Sequence, residues 1–280
     1  MATFSALALT RCKMTEKYGP SDFGVQLWSV RREMETNAIS TLKIIKEIGY
    51  TDVELAGYSN GLFYNMSPSE FKKVLSDIGL KSRSGHVPLG WNADDPAKTM
   101  AGDFESVCQD YAEVGVQYIV CPWMQDDGTI SKYQRLAALM NTCGETSKKH
   151  GIQFSYHNHD FEFIAKEGKI PYDVLLDETD KDKVDFELDL YWIKKGGANA
   201  LEYFTKHAGR FSLWHVKDMD NTDKAFFTEV GNGIIDWSPI FKERESSGMK
   251  LFYVEQDECV DHKPLESIKI SHDYLKELRV

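Results

Sequence analysis

The sequence predicts an α/β protein folded as a single (β/α)8 TIM barrel, on three observations. Eight short β-rich runs alternate with amphipathic segments from Phe23 onward, the pattern of parallel βα units. No glycine-rich phosphate loop follows the first run, which removes the main argument for a doubly wound open sheet. The chain has 280 residues, and barrels of about 250 residues routinely form one domain.

The predicted strands are FGVQLWSV from Phe23, DVELAG from Asp52, LKSRSGHV from Leu80, VQYIVCPW from Val116, IQFSYHNH from Ile152, VDFELDLYW from Val184, FSLWHVK from Phe211 and LFYVEQD from Leu251. Helix signals lie between them. In SPSEFKKVLSDIG, Ser67 is the expected N-cap, Pro68 the first helical residue and Glu70 the capping-box partner. Phe71, Val74, Leu75 and Ile78 follow at helical spacing before Gly79. TLKIIKEIG stops at Gly49 in the same way, and LESIKISHDYLKELRV closes the chain. The irregular stretches, from His86 to Asp103, CPWMQDDGTIS, and from Asp218 to Trp237, each follow a strand's C-terminal end, where barrel enzymes carry functional loops.

Residues 1–22 are expected to be an N-terminal extension, a leader remnant or disordered, and residues 23–280 the catalytic barrel. The opening ATFSALALT is apolar but lacks a preceding basic residue, so it makes a poor signal peptide. A cytoplasmic location is expected, or a periplasmic or secreted one if that start is a trimmed leader. Five cysteines without a CxxC pair do not form a disulfide framework and fit a reducing compartment. A net charge of −11 disfavours nucleic acid as a partner, and no apolar run reaches the roughly 18 residues that would span a membrane.

In a barrel, chemistry gathers at the last strand positions. Glu54 falls there on strand two, His86 on three, Asp189 on six, His215 and Lys217 on seven and Glu255 on eight, while His157, His159 and Glu162 follow strand five. Strands one and four deliver Trp28 and Trp123 as flat walls. Singly, each acid has an ordinary reading as a solvated residue or helix cap, and His215 as a core histidine. Together, unpaired charges at Asp189, His215 and Glu255 would cost several kcal/mol each, and one divalent cation removes that cost. Carboxylates with an imidazole suit Mn²⁺, Mg²⁺, Co²⁺ or Zn²⁺, and the absence of thiolates argues against structural zinc.

Taken in order, QLWSV, GYTDVELAG, YHNHDFEF, FELDLYW, HVKDMD, VGNGIIDW and YVEQD resemble the xylose isomerase-like TIM-barrel superfamily, in its sugar phosphate isomerase/epimerase branch. That superfamily also holds inosose dehydratase, ketose 3-epimerases and endonuclease IV. The resemblance spans Phe23 to Leu278 and implies one divalent metal, preferably manganese, held by Glu, Asp, His and Glu. Asp189, His215 and Glu255 match the last three positions. Glu162 takes the first, with His157 as the stand-in under a strict alignment, because the strand end reads His157, Asn158, His159 where relatives carry a glutamate.

The expected reaction is isomerisation or epimerisation of a sugar or keto-sugar by proton abstraction beside a carbonyl, through a metal-stabilised enediolate. Glu162 and Glu255 would act as combined ligands and acid/base groups. Trp28, Glu54, His86, Trp123 and Lys217 would contact substrate, with Lys217 also assisting catalysis. The alternative is a lyase acting on an inosose or 3-keto-glycoside, with His157 or His159 as acid to the leaving oxygen. A non-catalytic sugar-binding barrel is the reading from another class. Relatives commonly form dimers or tetramers, so a homo-oligomer is the implied state.

Overall fold

The computed structural model describes residues 22–279 apart from 93 and 96; the expected N-terminal extension lies almost wholly outside them. Eight parallel strands close into a barrel: β1 Gly24–Gln26, β2 Asp52–Leu55, β3 Lys81–His86, β4 Tyr118–Cys121, β5 Gln153–His157, β6 Val184–Asp189, β7 Leu213–Val216 and β8 Leu251–Val254. Each pairs with its sequence neighbours and β1 pairs with β8, so no strand edge is left open.

Every strand is shorter than its apolar run. At β1 the Gln26 side chain accepts a hydrogen bond from Trp28 N and turns Leu27–Val30 into a 3₁₀ helix. At β6 the Asp189 carboxylate accepts from Tyr191 N and Trp192 N, so LYW opens helix Leu190–Lys195 instead of extending the strand.

Long helices pack outside: α1 Arg31–Ile48, α2 Pro68–Ile78, α3 Phe104–Val114 and α4 Ile130–Lys149. The Ser67–Glu70 capping box is present, and Gly79 ends α2 at φ 80°, a left-handed conformation in which glycine pays no Cβ penalty. Inward residues recur at helical spacing, as in Tyr133, Leu136, Ala137 and Met140 of α4. Burying each larger one is worth about 1.5–3 kcal/mol. Inside the barrel, Tyr253 packs so close to Gly24 that a Cβ there would stand 2.4 Å from its ring. This aromatic packing closes the barrel below the polar layers.

Strand register assembles those layers. Gln26 lies beside Glu54 and Glu54 beside Ser84; His157 lies beside Glu187 and Asp189 beside His215. Among the described residues no helix is long and apolar enough to cross a membrane.

Candidate metal centre and active site

The C-terminal ends of β5 to β8 bring His157, Asp189, His215 and Glu255 together, with one donor atom from each lying within 4.8 Å of the others. Donors held about 2.0–2.3 Å from one ion are at most roughly 4.6 Å apart, so this spread is close to that of a single coordination sphere. His157 and Glu255 are only 3% and 4% exposed, and Asp189 and His215 are fully buried. Asp189 Oδ2 and His157 Nδ1 are buried and make no hydrogen bond; the Lys217 ammonium lies 3.1 Å from the first and the Glu187 carboxylate 3.3 Å from the second, which leaves both atoms with lone pairs for an ion. The residues therefore fit a divalent ion.

The two ring nitrogens of His215 face different neighbours. Nδ1 is 3.0 Å from Glu255 Oε2 and 3.8 Å from Asp189 Oδ2. Nε2 is 2.5 Å from Glu54 Oε2 and 3.2 Å from Glu187 Oε2. Glu187 is also 3.0 Å from His86 and 3.3 Å from His157, and a second group with ligand spacing, His86, His157, Glu187 and His215, is built around it.

Burial and charge set the protonation. Burial pushes Asp189 up to about 6 despite Lys217, and raises Glu187 to about 8 with help from Glu54. Burial also opposes charge on Glu54 and Glu255, but His86 and His215 hold the first, and Lys217 and His215 the second, well below the usual carboxylate range. Burial disfavours charge on His215, yet Glu187, Glu255 and Glu54 raise it well above normal. His157 is driven down by burial and then by His215.

Four expectations are revised. Glu162 is not among the converging residues: its fully buried carboxylate accepts from Tyr156 OH at 2.8 Å and from His159 N at 2.9 Å. A 3₁₀ turn at Phe161–Phe163 follows the strand end and carries Glu162 back onto its own loop, away from the converging donors. His157, at the strand end itself, is the residue of this stretch that meets Asp189, His215 and Glu255. Glu54 does not wall a pocket; it is fully buried behind His215 and accepts from Gln26 Nε2 and Ser84 Oγ. Lys217 is likewise enclosed, its ammonium 2.6 Å from Glu255, 3.1 Å from Asp189 and 2.5 Å from Asp257, so it bears on the site through those carboxylates.

Above the centre lies a cavity of about 390 Å³ whose walls include Trp28, His86, Trp123, His159 and Asp257. Trp28 and Trp123 are 44% and 49% exposed, in keeping with their expected role as flat walls. The Arg31 guanidinium lies 4.6 Å from the Trp28 ring centroid and also bonds Glu258. His159 stands on this wall with its Nδ1 buried and making no hydrogen bond, and burial followed by Lys217 lowers the ring to about 3.

Sequence reading passed over Glu187 and Asp257. The signal for Glu187 was period-two alternation, which sets it on the same inward face as Asp189. Asp257 lies beyond the strand and carried no such signal. Part of YHNHDFEF and VGNGIIDW proves to be scaffolding. Asn158 Oδ1 accepts from Asp189 N at 3.0 Å, tying β5 to β6. Asp218 accepts from Gly231 N, Ile235 N and Trp237 Nε1, which folds the loop after β7.

A family model described as xylose isomerase-like TIM barrel matches residues 42–278. The inosose dehydratase of Clostridium perfringens strain 13 is 29% identical over 165 residues, 52% of this chain and 54% of that protein. The chain thus spans about half the length of the first curated relatives it matches. The inosose dehydratase of Geobacillus kaustophilus aligns more fully, at 23% identity over 85% of this chain and 86% of its own. A crystal structure of a sugar phosphate isomerase/epimerase from Parabacteroides distasonis superposes with a TM-score of 0.79 at 29% identity, covering 90% of this chain and 96% of that one.

Proposed function

Because the chain belongs to the xylose isomerase-like TIM-barrel family, we propose that it is a divalent-metal-dependent enzyme that removes the proton next to the carbonyl of a polyhydroxylated ketone and eliminates the β-oxygen substituent. The observation that carries this reading is the convergence of His157, Asp189, His215 and Glu255 beneath a cavity with the His159 imidazole on its wall.

An ion held by two imidazoles and two carboxylates would polarise the ketone as a Lewis acid, and Mn²⁺, Zn²⁺ and Co²⁺ all suit that donor set. The chain's own residues do the rest. Trp28 and Trp123 offer apolar faces to the ring. The His159 imidazole on the cavity wall accepts the proton from carbon and passes it to the departing oxygen. The C–H electron pair becomes the new C=C bond, the C–O pair leaves with oxygen, and no oxidant is required. Glu54 holds His215 in place from behind.

Elimination is favoured over epimerisation by the position of Glu162. Inverting a carbon calls for proton exchange on both faces, and the carboxylate expected to supply the second is locked onto Tyr156 and His159. The inosose dehydratase relatives agree with this reading. The isomerase outcome would rely on Asp257, a carboxylate on the cavity wall that is paired with Lys217. Product mass tests the choice: metal-restored protein incubated with scyllo-inosose and with 3-keto-glucosides should release water or an alcohol. A product of unchanged mass overturns elimination in favour of isomerisation, and failure to bind any divalent metal overturns the whole reading.

A further inference from the structure

The cavity above the metal centre does not stand alone. A second chamber of about 550 Å³ shares Ala56, His86, Pro122 and Trp123 with it, so the two form one cleft over the ends of β2 to β4. Either chamber alone lies within the roughly 300–1,000 Å³ of ordinary ligand sites. The exposed Trp123 indole lines both, and a second indole, Trp91, lines the outer chamber.

We propose that the substrate has two rings: the ketone-bearing ring lies over the metal centre, and a neutral sugar ring joined to it occupies the chamber between Trp123 and Trp91. This rests on the reading of the inner cavity as the reaction site, and it adds the substrate class. Indole faces match the C–H faces of a pyranose, and polar groups around the rim match its hydroxyls. The Arg135 guanidinium lies 5.2 Å from the Trp91 ring centroid, fixing one face of that indole and leaving N–H donors at the chamber. Charge points to a neutral occupant: the chamber has Lys132 and Arg135 against Asp95 and Asp127, with no excess positive charge for a phosphate or carboxylate.

The chamber is also built in advance. The loop that carries Trp91 is pinned by Met100 N to Pro88 O at 3.0 Å and Ala101 N to Leu89 O at 2.9 Å. Gly90, at φ 81°, packs so tightly on Thr99 that a Cβ would stand 2.0 Å from its hydroxyl oxygen. With the second ring attached through oxygen at the carbon β to the ketone, the elimination above expels it as an alcohol. The C–H pair forms the C=C bond, the C–O bond breaks towards oxygen, and the proton removed from carbon goes to the departing alcohol.

The test compares 3-keto-lactose, which has two rings, with 3-keto-galactose, which has the same ketone-bearing ring alone, on wild-type, Trp91→Ala and Arg135→Ala proteins of measured metal content. The wild type should prefer 3-keto-lactose by about tenfold or more in kcat/KM. Each variant should lose that preference through KM, with 3-keto-galactose turnover and bound metal unchanged. Equal use of both compounds by the wild type, or an equal loss on both in the variants, overturns the two-ring substrate while leaving the proposed reaction standing. If neither compound reacts, the proposed reaction fails instead, and binding followed by tryptophan fluorescence still decides. Tighter binding of 3-keto-lactose that Trp91→Ala abolishes supports the second-ring site, and equal binding of the two overturns it.

Discussion

His215 stands with Nε2 2.5 Å from Glu54 Oε2, while its Nδ1 turns to Glu255 and Asp189. A carboxylate behind an imidazole fixes the ring and strengthens it as a ligand. Glu54→Gln retains the shape and removes the charge. Metal affinity should fall about 10–100-fold, measured by competition with a chelating dye; unchanged affinity would mean that Glu54 only fills space.

His157 and His159 separate ligand from proton carrier. His157→Ala should lose bound metal and activity together. His159→Ala should keep the metal and lose about 10²–10⁴ in kcat. Elemental analysis beside steady-state kinetics reads both, and metal loss from the His159 variant would reverse the assignment.

Glu162→Gln should leave metal content unchanged, since Glu162 lies outside the converging residues. Above about pH 8, where Glu162 is ionised, the amide presents one acceptor fewer to the Tyr156 hydroxyl and His159 N–H, and an unpaired buried group costs about 1–3 kcal/mol. Urea unfolding measures that loss.

The same carboxyl predicts a pH effect. Burial outweighs the bonds from Tyr156 and His159 and raises Glu162 to about 8, so between about pH 4.5 and 8 the folded state holds a proton that the unfolded state releases. Its contribution to stability is full at acid pH and declines as pH rises through that window. Stability measured across the window should fall less steeply in Glu162→Gln than in wild type. Identical slopes would show that Glu162 is ionised throughout.

Removing metal with EDTA should lower Tm, and restoring Mn²⁺ or Zn²⁺ at about 100 times Kd should return about 2.7 kcal/mol, on the order of 5–10 °C. His215→Ala should show no such response by differential scanning calorimetry. A Tm shift that persists in the variant would place the ion elsewhere.

Much of this was legible in the chain. The Ser67–Glu70 capping box, Gly49 and Gly79 as helix stops, and the order of eight strands are local signals, and each appears where the pattern placed it. Strand ends were less legible, because side chains decide them: Gln26 and Asp189 bond the next turn's amides and cut two apolar runs short. From YHNHDFEF, His157 joins the converging group, while Glu162, expected as the ligand, lies outside it. The sequence of that stretch does not say that a 3₁₀ turn swings Glu162 back while His157, still on the strand, faces Asp189, His215 and Glu255.

The sequence by itself determined the alternation of strand and helix, and through it the barrel and the end at which polar residues collect, because periodicity and caps act over a few residues. Only the tertiary structure decided which of those polar groups meet. Register between strands more than a hundred positions apart in the chain puts Glu54 behind His215, and that pairing depends on barrel closure, which no local stretch encodes.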